Sequence, residues 1–506
     1  MTTSDTEDYL RPVVPRLSKS KFLSGLQCHK RLYLEIRQPE LAEPPDPATQ
    51  AMFAMGTEIG MLAQRRFPGG VLVAPTLRPR DAAVALTAKL LQDPDVPAIF
   101  EGAFEYEGVM VRVDILERVR AAEENRSAWR LIEVKSSARV KDVHLHDLAI
   151  QRHVLVGAGV DLASTCLMHI DTGYFYEGGE VDLEALFALE DVSTVVAERQ
   201  GKVPEQLEAM KSILLEPRPP VIEPDDRCHS PYQCPFWANC TKDKPPRWIY
   251  HLPGSKKVVQ QLVQEGITII DDIPDTANLS IVQRRVKDNV EWVSASLASV
   301  LQSVEYPVHH LDFETVMLAI PKFSRMKPYQ SIPVQWSNHI ELSSGEITHH
   351  EFLHGEATEP RRQWAERLLE SLGEQGTIVV YSSYEEAMMR QVAEAFPELR
   401  NAFSSVIKRL WDLYPVIKEH YYHPAFQGSY SIKSVLPVMV PELSYRDLQI
   451  QEGAQAASEY YRMVFIEEDW IEQARIKDAL LQYCARDTMA MVRLRRALKE
   501  KATASL

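Results

Sequence analysis

Three of the chain's six cysteines stand between positions 228 and 240, in the stretch CHSPYQCPFWANC, and no other stretch constrains the fold as much. Five residues separate Cys228 from Cys234 and Cys234 from Cys240, a wider spacing than the usual zinc hook. Tetrahedral sulfur sites suit zinc or an iron–sulfur cluster, so a fourth ligand is required. His229 would strain a site shared with Cys228, which makes Cys28 the better candidate. On spacing alone, zinc and iron–sulfur remain equally good interpretations.

The other cysteines and the apolar pattern bear on the compartment. Six cysteines in 506 residues are too few for a disulfide scaffold, so the thiols are expected to be reduced. We expect Cys166 and Cys484 to pack in apolar cores. The first twenty residues contain no apolar run, and no stretch approaches eighteen consecutive apolar residues. Neither a signal peptide nor a membrane span is therefore expected, and the protein is predicted to be cytoplasmic.

The net charge of −15 argues against a generally basic, nucleic-acid-coating surface. It does not exclude a metal-dependent nuclease, because such enzymes have acidic sites and need only a local basic path. Residues 19–31 and 284–292 are candidates for such a path, although basic stretches are more often solvated faces.

Apolar periodicity divides the chain into an α/β domain (1–245), a helical connector (246–303) and a second α/β domain (304–506). The predicted elements of the first domain are helices over 17–36, 52–67 and 142–160, a hairpin over 98–119 turned at Glu-Gly, and strands over 127–137 and 164–174. A small helical hairpin is predicted over 255–276. The predicted elements of the last domain are strands over 308–315, 331–342, 345–353 and 376–383, and helices over 360–372, 385–400 and 480–500.

The first acidic motif is Asp114 in VRVDIL with Glu133 and Lys135 in LIEVKSS. Residues two apart on a strand share a face, so Glu133 and Lys135 project together and Asp114 can join them from the neighbouring strand. Two carboxylates can hold Mg²⁺ or Mn²⁺, and a lysine can neutralise a phosphate beside them. Alone, this triplet would more often be a surface ion pair.

In its context, the triplet resembles the RecB-like branch of the PD-(D/E)XK nucleases, which includes the CRISPR-adaptation exonucleases and AddB. The resemblance covers roughly residues 17–245. It implies a restriction-endonuclease-like fold, Asp114 and Glu133 as metal ligands, and Lys135 and Gln151 as further catalytic residues.

The chain departs from this family pattern at two positions. Leu155 stands where the family has the tyrosine of Q-x-x-x-Y, and Gly60 stands where it has a histidine ligand. Glu58 is a nearby substitute for that histidine, with a solvent-facing helix glutamate as the alternative.

The same resemblance implies that Cys28, Cys228, Cys234 and Cys240 bind a [4Fe–4S] cluster, with Zn²⁺ as the alternative. Such a cluster would close a loop of about 200 residues around the catalytic core.

The second acidic motif begins with Asp312 and Glu314 in LDFET, two apart on one predicted strand. Tyr483 and Asp487 follow as Y-x₃-D, which places them on one side of a helix. Glu385 comes from the predicted strand–helix junction between them. Asp412 is a runner-up acid with a structural role as its alternative.

This order of acids resembles the DEDD-type, RNase H-like exonucleases, in which carboxylates hold two metal ions and a tyrosine assists. Asp312, Glu314 and Asp487 would be metal ligands, with Glu385 and Tyr483 as catalytic residues. Ser382 and Glu385 depart from the Asn and Asp that the family has at the junction. Residues 423–463 resemble the tail of a bacterial family, long of unknown function, that joins a RecB-like nuclease to a DEDD-like domain. Ser431 and Lys433 are candidate phosphate contacts, with an ordinary loop start as the alternative.

Together these motifs predict a metal-dependent nuclease with two active sites, acting on DNA rather than RNA, in DNA repair or defence. Repair or defence proteins would be its further partners. One alternative is a nucleic-acid-binding adaptor, or a DEDD-like domain that only binds, with inactive sites. Another is a zinc-stapled scaffold.

Overall fold

The computed structural model describes residues 16–74, 76, 80–120 and 127–504. The chain forms two compact units. The first contains the chain up to residue 243 with two short returns, 319–321 and 325–328. The second contains residues 244–318, 322–324 and those from 329 onward, so the range predicted as a connector lies within it.

A mixed β-sheet forms the centre of the first unit. Its strands are β1 (Leu17–Ser18), β2 (Val71–Leu72), β3 (Ala98–Tyr106), β4 (Val109–Arg120), β5 (Ser127–Lys135), β6 (Leu162–Ile170) and β7 (Phe187–Asp191). They run in the order β2-β3-β4-β5-β6-β7, and β1 pairs with β4. The β3–β4 and β4–β5 pairs are antiparallel, whereas β5 and β6 are parallel.

The helices of the first unit are α1 (Lys19–Gln27), α2 (His29–Arg37), α3 (Pro47–Gln64), α4 (Arg80–Gln92), α5 (Asp142–Gly157), α6 (Leu183–Leu186), α7 (Ser193–Arg199), α8 (Val203–Leu215) and α9 (Trp237–Thr241). They include α5, which carries the predicted Gln151, and α9, which carries Cys240. The crossover α5 buries Leu148, Val154 and Leu155 in the same apolar core as Val111 and Val113 of β4.

The predicted hairpin over 98–119 is present as β3 and β4. Its two turn residues are Glu107 and Gly108, with φ of 48° and 75°. A two-residue turn with both φ values positive matches the right-handed twist of the flanking strands.

The single helix predicted over 17–36 is wrong, because the chain breaks at Cys28. There φ is −163° and ψ is 122°, so an extended residue ends α1 and begins α2. A tertiary contact holds the break, since Gln27 Nε2 donates to the carbonyls of Arg227 and Tyr232 at 2.6 and 2.7 Å. The apolar periodicity of the sequence continues across Cys28, so it cannot predict a break that depends on a tertiary contact.

The second unit contains a second mixed sheet flanked by helices. The strands of this unit are β8 (Trp292–Val293), β9 (Val308–Met317), β10 (Ser331–Glu341), β11 (Ile347–Leu353), β12 (Thr377–Val380), β13 (Leu410–Asp412) and β14 (Tyr421–Tyr422). Of these, β8 and β14 form a separate antiparallel pair. The helices of this unit are α10 (Lys256–Gln264), α11 (Ile281–Asp288), α12 (Leu297–Gln302), α13 (Arg361–Leu372), α14 (Tyr384–Ala395), α15 (Arg400–Ile407), α16 (Leu413–His420), α17 (Ile432–Met439), α18 (Gly453–Phe465) and α19 (Trp470–Ala504).

The main sheet of this unit has the order β11-β10-β9-β12-β13. The strand β10 is antiparallel to β9 and β11, whereas β12 is parallel to β9 and β13. The long helix α19 packs against β9 and β10. This packing brings the C-terminal motif to the central strand that carries Asp312 and Glu314.

The largest differences from the predicted bounds in the second unit concern three elements. The helix predicted over 385–400 ends at Ala395, because Pro397 cannot continue the helical hydrogen bonding. The C-terminal helix begins at Trp470, ten residues before its predicted start. The helical hairpin predicted over 255–276 has one helical arm, α10, and its second arm is a single 3-10 turn at Ile270–Asp272.

None of the helices in the described part of the chain combines the length and the apolar character that a bilayer crossing requires.

Candidate active sites and a cysteine cluster

The first acidic site lies where β4 and β5 separate. Their hydrogen-bonded register ends at the pair Ile115–Ile132. Just beyond that pair, Asp114 Oδ2 accepts a hydrogen bond from the backbone N–H of Val134 at 2.8 Å. A side-chain carboxylate therefore takes the place of the cross-strand carbonyl, and Asp114 is held beside Glu133.

Glu133 is the most heavily bonded carboxylate of this site, and it is 1% exposed. Its Oε1 accepts hydrogen bonds from Lys135 Nζ at 2.5 Å and from Lys19 Nζ at 2.9 Å. Its Oε2 accepts from Lys19 Nζ at 3.1 Å and from Gln151 Nε2 at 2.7 Å. The structure therefore brings the predicted Glu133, Lys135 and Gln151 together, and it adds Lys19.

Asp147 is a further carboxylate of the site that the sequence interpretation missed. It accepts from Lys135 Nζ at 2.6 Å and from Gln151 Nε2 at 3.0 Å. Asp147 and Gln151 lie four residues apart on α5, so D-x₃-Q was the available signal. Gln151 Oε1 is buried with no hydrogen-bond partner among the described residues, so it can accept a hydrogen bond from water.

Burial and charge move the carboxylate pKa values in opposite directions. Burial, followed by the charge of Glu133, raises the pKa of Asp114 to about 7. Burial alone would also raise the pKa of Glu133, but Lys135 and Lys19 outweigh it and hold that pKa well below its usual range. Glu133 is therefore the permanently ionised member of the pair.

Both lysines of the site stay charged at neutral pH. Burial lowers the pKa of Lys19, but Asp147, Glu133 and Asp114 outweigh that effect and leave it above its usual value. The pKa of Lys135 is likewise raised, because the attraction of Glu133 and Asp147 exceeds the cost of burial.

The family departures have definite positions. Leu155 is fully buried in the apolar core, so no tyrosine hydroxyl enters the site from there. Gly60 and the half-buried Glu58 lie on α3. That helix approaches the end of β5, since a Cβ on Gly56 would lie 3.9 Å from Ser136 Oγ.

The second acidic site is built on β9 and α19. Asp312 and Glu314 lie two apart on β9, and the Sγ of Cys484 lies 3.7 Å from Asp312 Oδ2. One ligand atom from each of these three residues lies within 4.8 Å of the other two. Cys484 is fully buried as expected, but it lines the acidic site.

Two tyrosines flank Asp487 in this site. Asp487 and Tyr483 lie one turn apart on α19, and Tyr445 donates its hydroxyl hydrogen to Asp487 Oδ1 at 2.5 Å. Tyr445 comes from the segment between α17 and α18. Arg486 ties that segment to α19 by pairing with Asp447 at 2.9 Å. No short motif of the sequence marks Tyr445.

The predicted Glu385 is buried near the start of α14, where Ser382 Oγ donates to its Oε2 at 3.1 Å. Its charge acts on Asp312 and Glu314. Asp412 instead caps α16, with its Oδ1 accepting from the backbone N–H of Tyr414 at 2.9 Å.

Mutual repulsion adds to burial in raising the pKa values of this site. Burial, then Asp487 and Glu314, raise the pKa of Asp312 well above its usual range, and burial with Asp487 does the same for Glu314. Burial raises the pKa of Glu385 to about 7 and that of Asp487 to about 6. Such a group of carboxylates gains from a cation.

Lys433 supplies one positive charge near these acids. Its Nζ donates to the carbonyl of Gln451 at 2.7 Å and lies 5.6 Å from the ring centre of Tyr483. Its charge acts on Glu314 and Asp487. Ser431 is the N-cap residue of α17 and shares hydrogen bonds with neighbouring serine hydroxyls.

The four predicted cluster cysteines converge in the first unit. Cys228 interacts electrostatically with Cys28 and Cys240, and Cys234 interacts with Cys228 and Cys240. Tyr33, Leu34 and Phe236 form the apolar surroundings of this group. In the described chain, no three of these sulfur atoms meet the 4.8 Å spacing seen at Asp312, Glu314 and Cys484.

Burial raises the pKa of Cys234 to about 11 and raises those of Cys228 and Cys240 above the usual thiol value. Neighbouring thiols add to this shift for all three. A metal centre supplies the positive charge that converts such thiols to thiolates. Cys166 lies apart from this group, buried in β6 with its Sγ 4.0 Å from Ser164 Oγ.

One family model matches the chain, over residues 309–431, and its description is a domain of unknown function, DUF2779. The match includes Asp312, Glu314 and Glu385 and stops before Tyr483 and Asp487. No curated protein matches the chain.

Proposed function

We propose that this protein is a metal-dependent nuclease that hydrolyses DNA phosphodiester bonds at two separate sites. One observation carries the proposal. The chain contains two groups of buried or half-buried carboxylates, and each group brings together the residues of a different nuclease motif. The reaction joins a water oxygen to phosphorus and breaks one ester P–O bond, which leaves a phosphate monoester and an alcohol.

The first site has the donors that a hard divalent ion requires. Asp114 and Glu133 would hold Mg²⁺ or Mn²⁺ through carboxylate oxygens. Such ions activate the attacking water and stabilise the charge that develops on the phosphate. Lys135 neutralises the phosphate, Asp147 holds Lys135 in place, and Gln151 Oε1 is available to orient a water molecule.

The second site fits an RNase H-like exonuclease of the DEDD type. Asp312, Glu314 and Asp487 would hold the ions, and Glu385 adds a fourth carboxylate from the start of α14. Tyr483 and Tyr445 line the site beside Asp487, and Lys433 offers a charge for a phosphate. The central strand supplies two acids and the C-terminal helix supplies one, whereas the strand–helix junction supplies a glutamate where the family has an aspartate.

The cysteine cluster fits an iron–sulfur centre with a structural role. Four sulfur donors in one group suit zinc or an iron–sulfur cluster. The resemblance to the RecB-like nucleases favours the iron–sulfur cluster for Cys28, Cys228, Cys234 and Cys240. It would fasten α1 and α2 to the segment 228–240.

Replacing Cys28 by serine should remove most of the iron and destabilise the first unit, because one of four ligands is lost. The readouts are iron and sulfide content and the thermal unfolding of protein purified without oxygen. Cys166→Ser is the matched control and should keep the iron. Unchanged iron in Cys28→Ser would reject the four-cysteine assignment.

Hydrolysis of labelled single- and double-stranded DNA with Mg²⁺ or Mn²⁺ tests the nuclease proposal. Glu133→Ala and Asp312→Ala should each remove one component of the activity, and the double variant should remove all of it. An RNA substrate serves as the comparison and should be cleaved more slowly. Wild-type protein with an intact cluster that cleaves neither DNA nor RNA would sink the proposal.

The second candidate function is a nucleic-acid-binding adaptor. It is favoured by the departures at Gly60, Leu155 and Ser382. Metal-independent DNA binding that is unchanged in Glu133→Ala and Asp312→Ala, without cleavage, would support it.

A further inference from the structure

Lys19 reaches the centre of the first acidic site from the first turn of α1. Its Nζ lies 2.9 and 3.1 Å from the two oxygens of Glu133 and 3.5 Å from Asp147 Oδ1. The ammonium group thus contacts both oxygens of Glu133 and lies between Glu133 and Asp147. The neighbouring Lys135 contacts the same two residues from β5.

The charges of the first acidic site limit how many divalent ions it can hold. Asp114, Glu133 and Asp147 bring three carboxylates, against the two ammonium groups of Lys19 and Lys135. Glu101 lies at the edge of the site, where Lys19 and then Arg112 act on its charge. Counting Glu101 together with Arg112 leaves the net charge of the site unchanged. One divalent ion together with one phosphodiester would cancel the remaining negative charge. Two divalent ions would leave a surplus of two positive charges in a buried site, which is costly.

The second acidic site has a larger excess of negative charge. Asp312, Glu314, Glu385 and Asp487 bring four carboxylates, and Lys433 is the described lysine whose charge acts on them. There, two divalent ions and one phosphodiester give a neutral assembly. Both counts take every carboxylate as ionised once cations are bound.

We infer that the ammonium group of Lys19 takes the place of a second divalent ion, so that the first site binds one ion while the second binds two. This inference rests on the proposed nuclease function and specifies the metal content of its first site. Its physical basis is that a fixed positive charge, brought in by a helix, needs no ion from solution.

The helix that carries Lys19 is well anchored. Its Lys21 bonds Glu35 Oε2 at 2.9 Å, and its Ser24 bonds Glu35 Oε1 at 3.0 Å, which ties α1 to α2. Lys21 therefore lies two residues from Lys19 on the same helix but is paired outside the acidic site. It provides a matched control.

The experiment counts Mn²⁺ ions bound to the full chain, by equilibrium dialysis and by electron paramagnetic resonance. The second site is silenced by Asp312→Asn, Glu314→Gln and Asp487→Asn. In this background, with a phosphorothioate-linked dinucleotide supplying the one phosphodiester, the first site should bind one Mn²⁺ with Lys19 present. Lys19→Met should bind two, because the surplus positive charge of the two-ion state falls from two to one. Lys19→Arg should stay at one because the charge is kept, and Lys21→Met should also stay at one.

Two outcomes would overturn the inference: two ions with Lys19 present, or one ion of unchanged affinity in Lys19→Met. Circular dichroism of each variant, together with the behaviour of Lys19→Arg, separates loss of charge from loss of fold. Failure of the nuclease proposal looks different, because the silenced background would then show no Mn²⁺-dependent DNA hydrolysis at all. If the protein hydrolyses DNA but its first site binds two ions with Lys19 present, only the role of Lys19 is rejected, and the nuclease proposal stands.

Discussion

At the scale of the residue, each acidic site contains predicted acids and partners that no motif announced. Asp114, Glu133, Asp312, Glu314 and Asp487 are all buried or half-buried where the motifs led us to expect them. Lys19, Asp147 and Tyr445 were missed. Asp147 had its spacing from Gln151 as a signal, whereas Lys19 and Tyr445 reach their sites from a distant part of the chain and from an unmarked segment. Their contacts decide the charge of the first site and the orientation of Asp487 in the second.

Tyr445→Phe should weaken Mn²⁺ binding at the second site about 10- to 100-fold, because partners that orient a metal-binding carboxylate have effects of that size. The lost interaction is the 2.5 Å hydrogen bond from the Tyr445 hydroxyl to Asp487 Oδ1. Mn²⁺ titration of the full chain, with Asp114→Asn and Glu133→Gln silencing the first site, measures it. Tyr460→Phe is the control, since the buried Tyr460 hydroxyl has no partner in the described residues. Equal affinities in the two variants would contradict the role of Tyr445.

At the scale of the element, a glycine with a left-handed backbone holds two strands of the second sheet in position. Gly376 precedes β12, the strand that leads to Glu385, and its φ is +83°. A Cβ at this position would overlap the carbonyl oxygen of Pro307, which directly precedes β9. Close approach of the two backbones at this point therefore aligns the central strand with its parallel neighbour.

Gly376→Ala should lower the free energy of unfolding of the second unit by about 3 kcal/mol or more. About 1–2 kcal/mol comes from the left-handed backbone, and the rest comes from overpacking against Pro307. Gly345→Ala should lower the free energy of unfolding only by the contribution of the left-handed backbone. Its φ is +87°, but nothing lies within 4 Å of a Cβ at this position in the described structure. Denaturant unfolding of the two variants tests the difference. Equal losses would mean that the contact with Pro307 relaxes freely.

At the scale of the whole molecule, the acidic sites of the two units differ in how much of their negative charge is neutralised before any ion binds. The first site is nearly neutralised by its own lysines, whereas the second keeps four carboxylates with raised pKa values. Binding of an ion to the folded state alone stabilises that state by an amount that grows with the logarithm of the ion concentration divided by the Kd. The second unit is therefore the part of the molecule whose stability should depend most on divalent ions.

The Tm of the metal-free second unit should fall as the pH rises from 6.5 to 8. Its folded state keeps protons on carboxyls that ionise near pH 4 when unfolded, so stability is lost as the pH rises through the raised pKa values. His309, His310, His339 and His349 have lowered pKa values, so they add stability as the pH rises through their unfolded value of about 6.5. They offset part of the fall at the lower end of this window. The expected fall is several degrees, at about 2–4 °C for each kcal/mol.

Scanning calorimetry with and without Mn²⁺ provides the measurement. Mn²⁺ should raise the Tm more at pH 8 than at pH 6.5, because fewer protons compete for the carboxylates. Asp312→Asn with Glu314→Gln should flatten the pH dependence. If the Tm of the metal-free protein rises over this range, the buried carboxyl groups are not the source of its pH dependence.

The sequence by itself determined much of the local structure. Alternation of apolar residues marked the hairpin of β3 and β4, and helical spacing marked α5 and α19, because these patterns depend only on which face of an element is buried. The spacing of Glu133 from Lys135, and of Tyr483 from Asp487, put each pair on one face for the same reason.

Only the tertiary structure decided which distant groups meet. Cys28 interrupts a predicted helix because Gln27 bonds to carbonyls about 200 residues away. Lys19 and Asp147 enter the first site because α1 and α5 pack beside the end of β5, and Tyr445 enters the second because Arg486 holds its segment. These contacts depend on packing between elements, and periodicity along a single element contains no information about them.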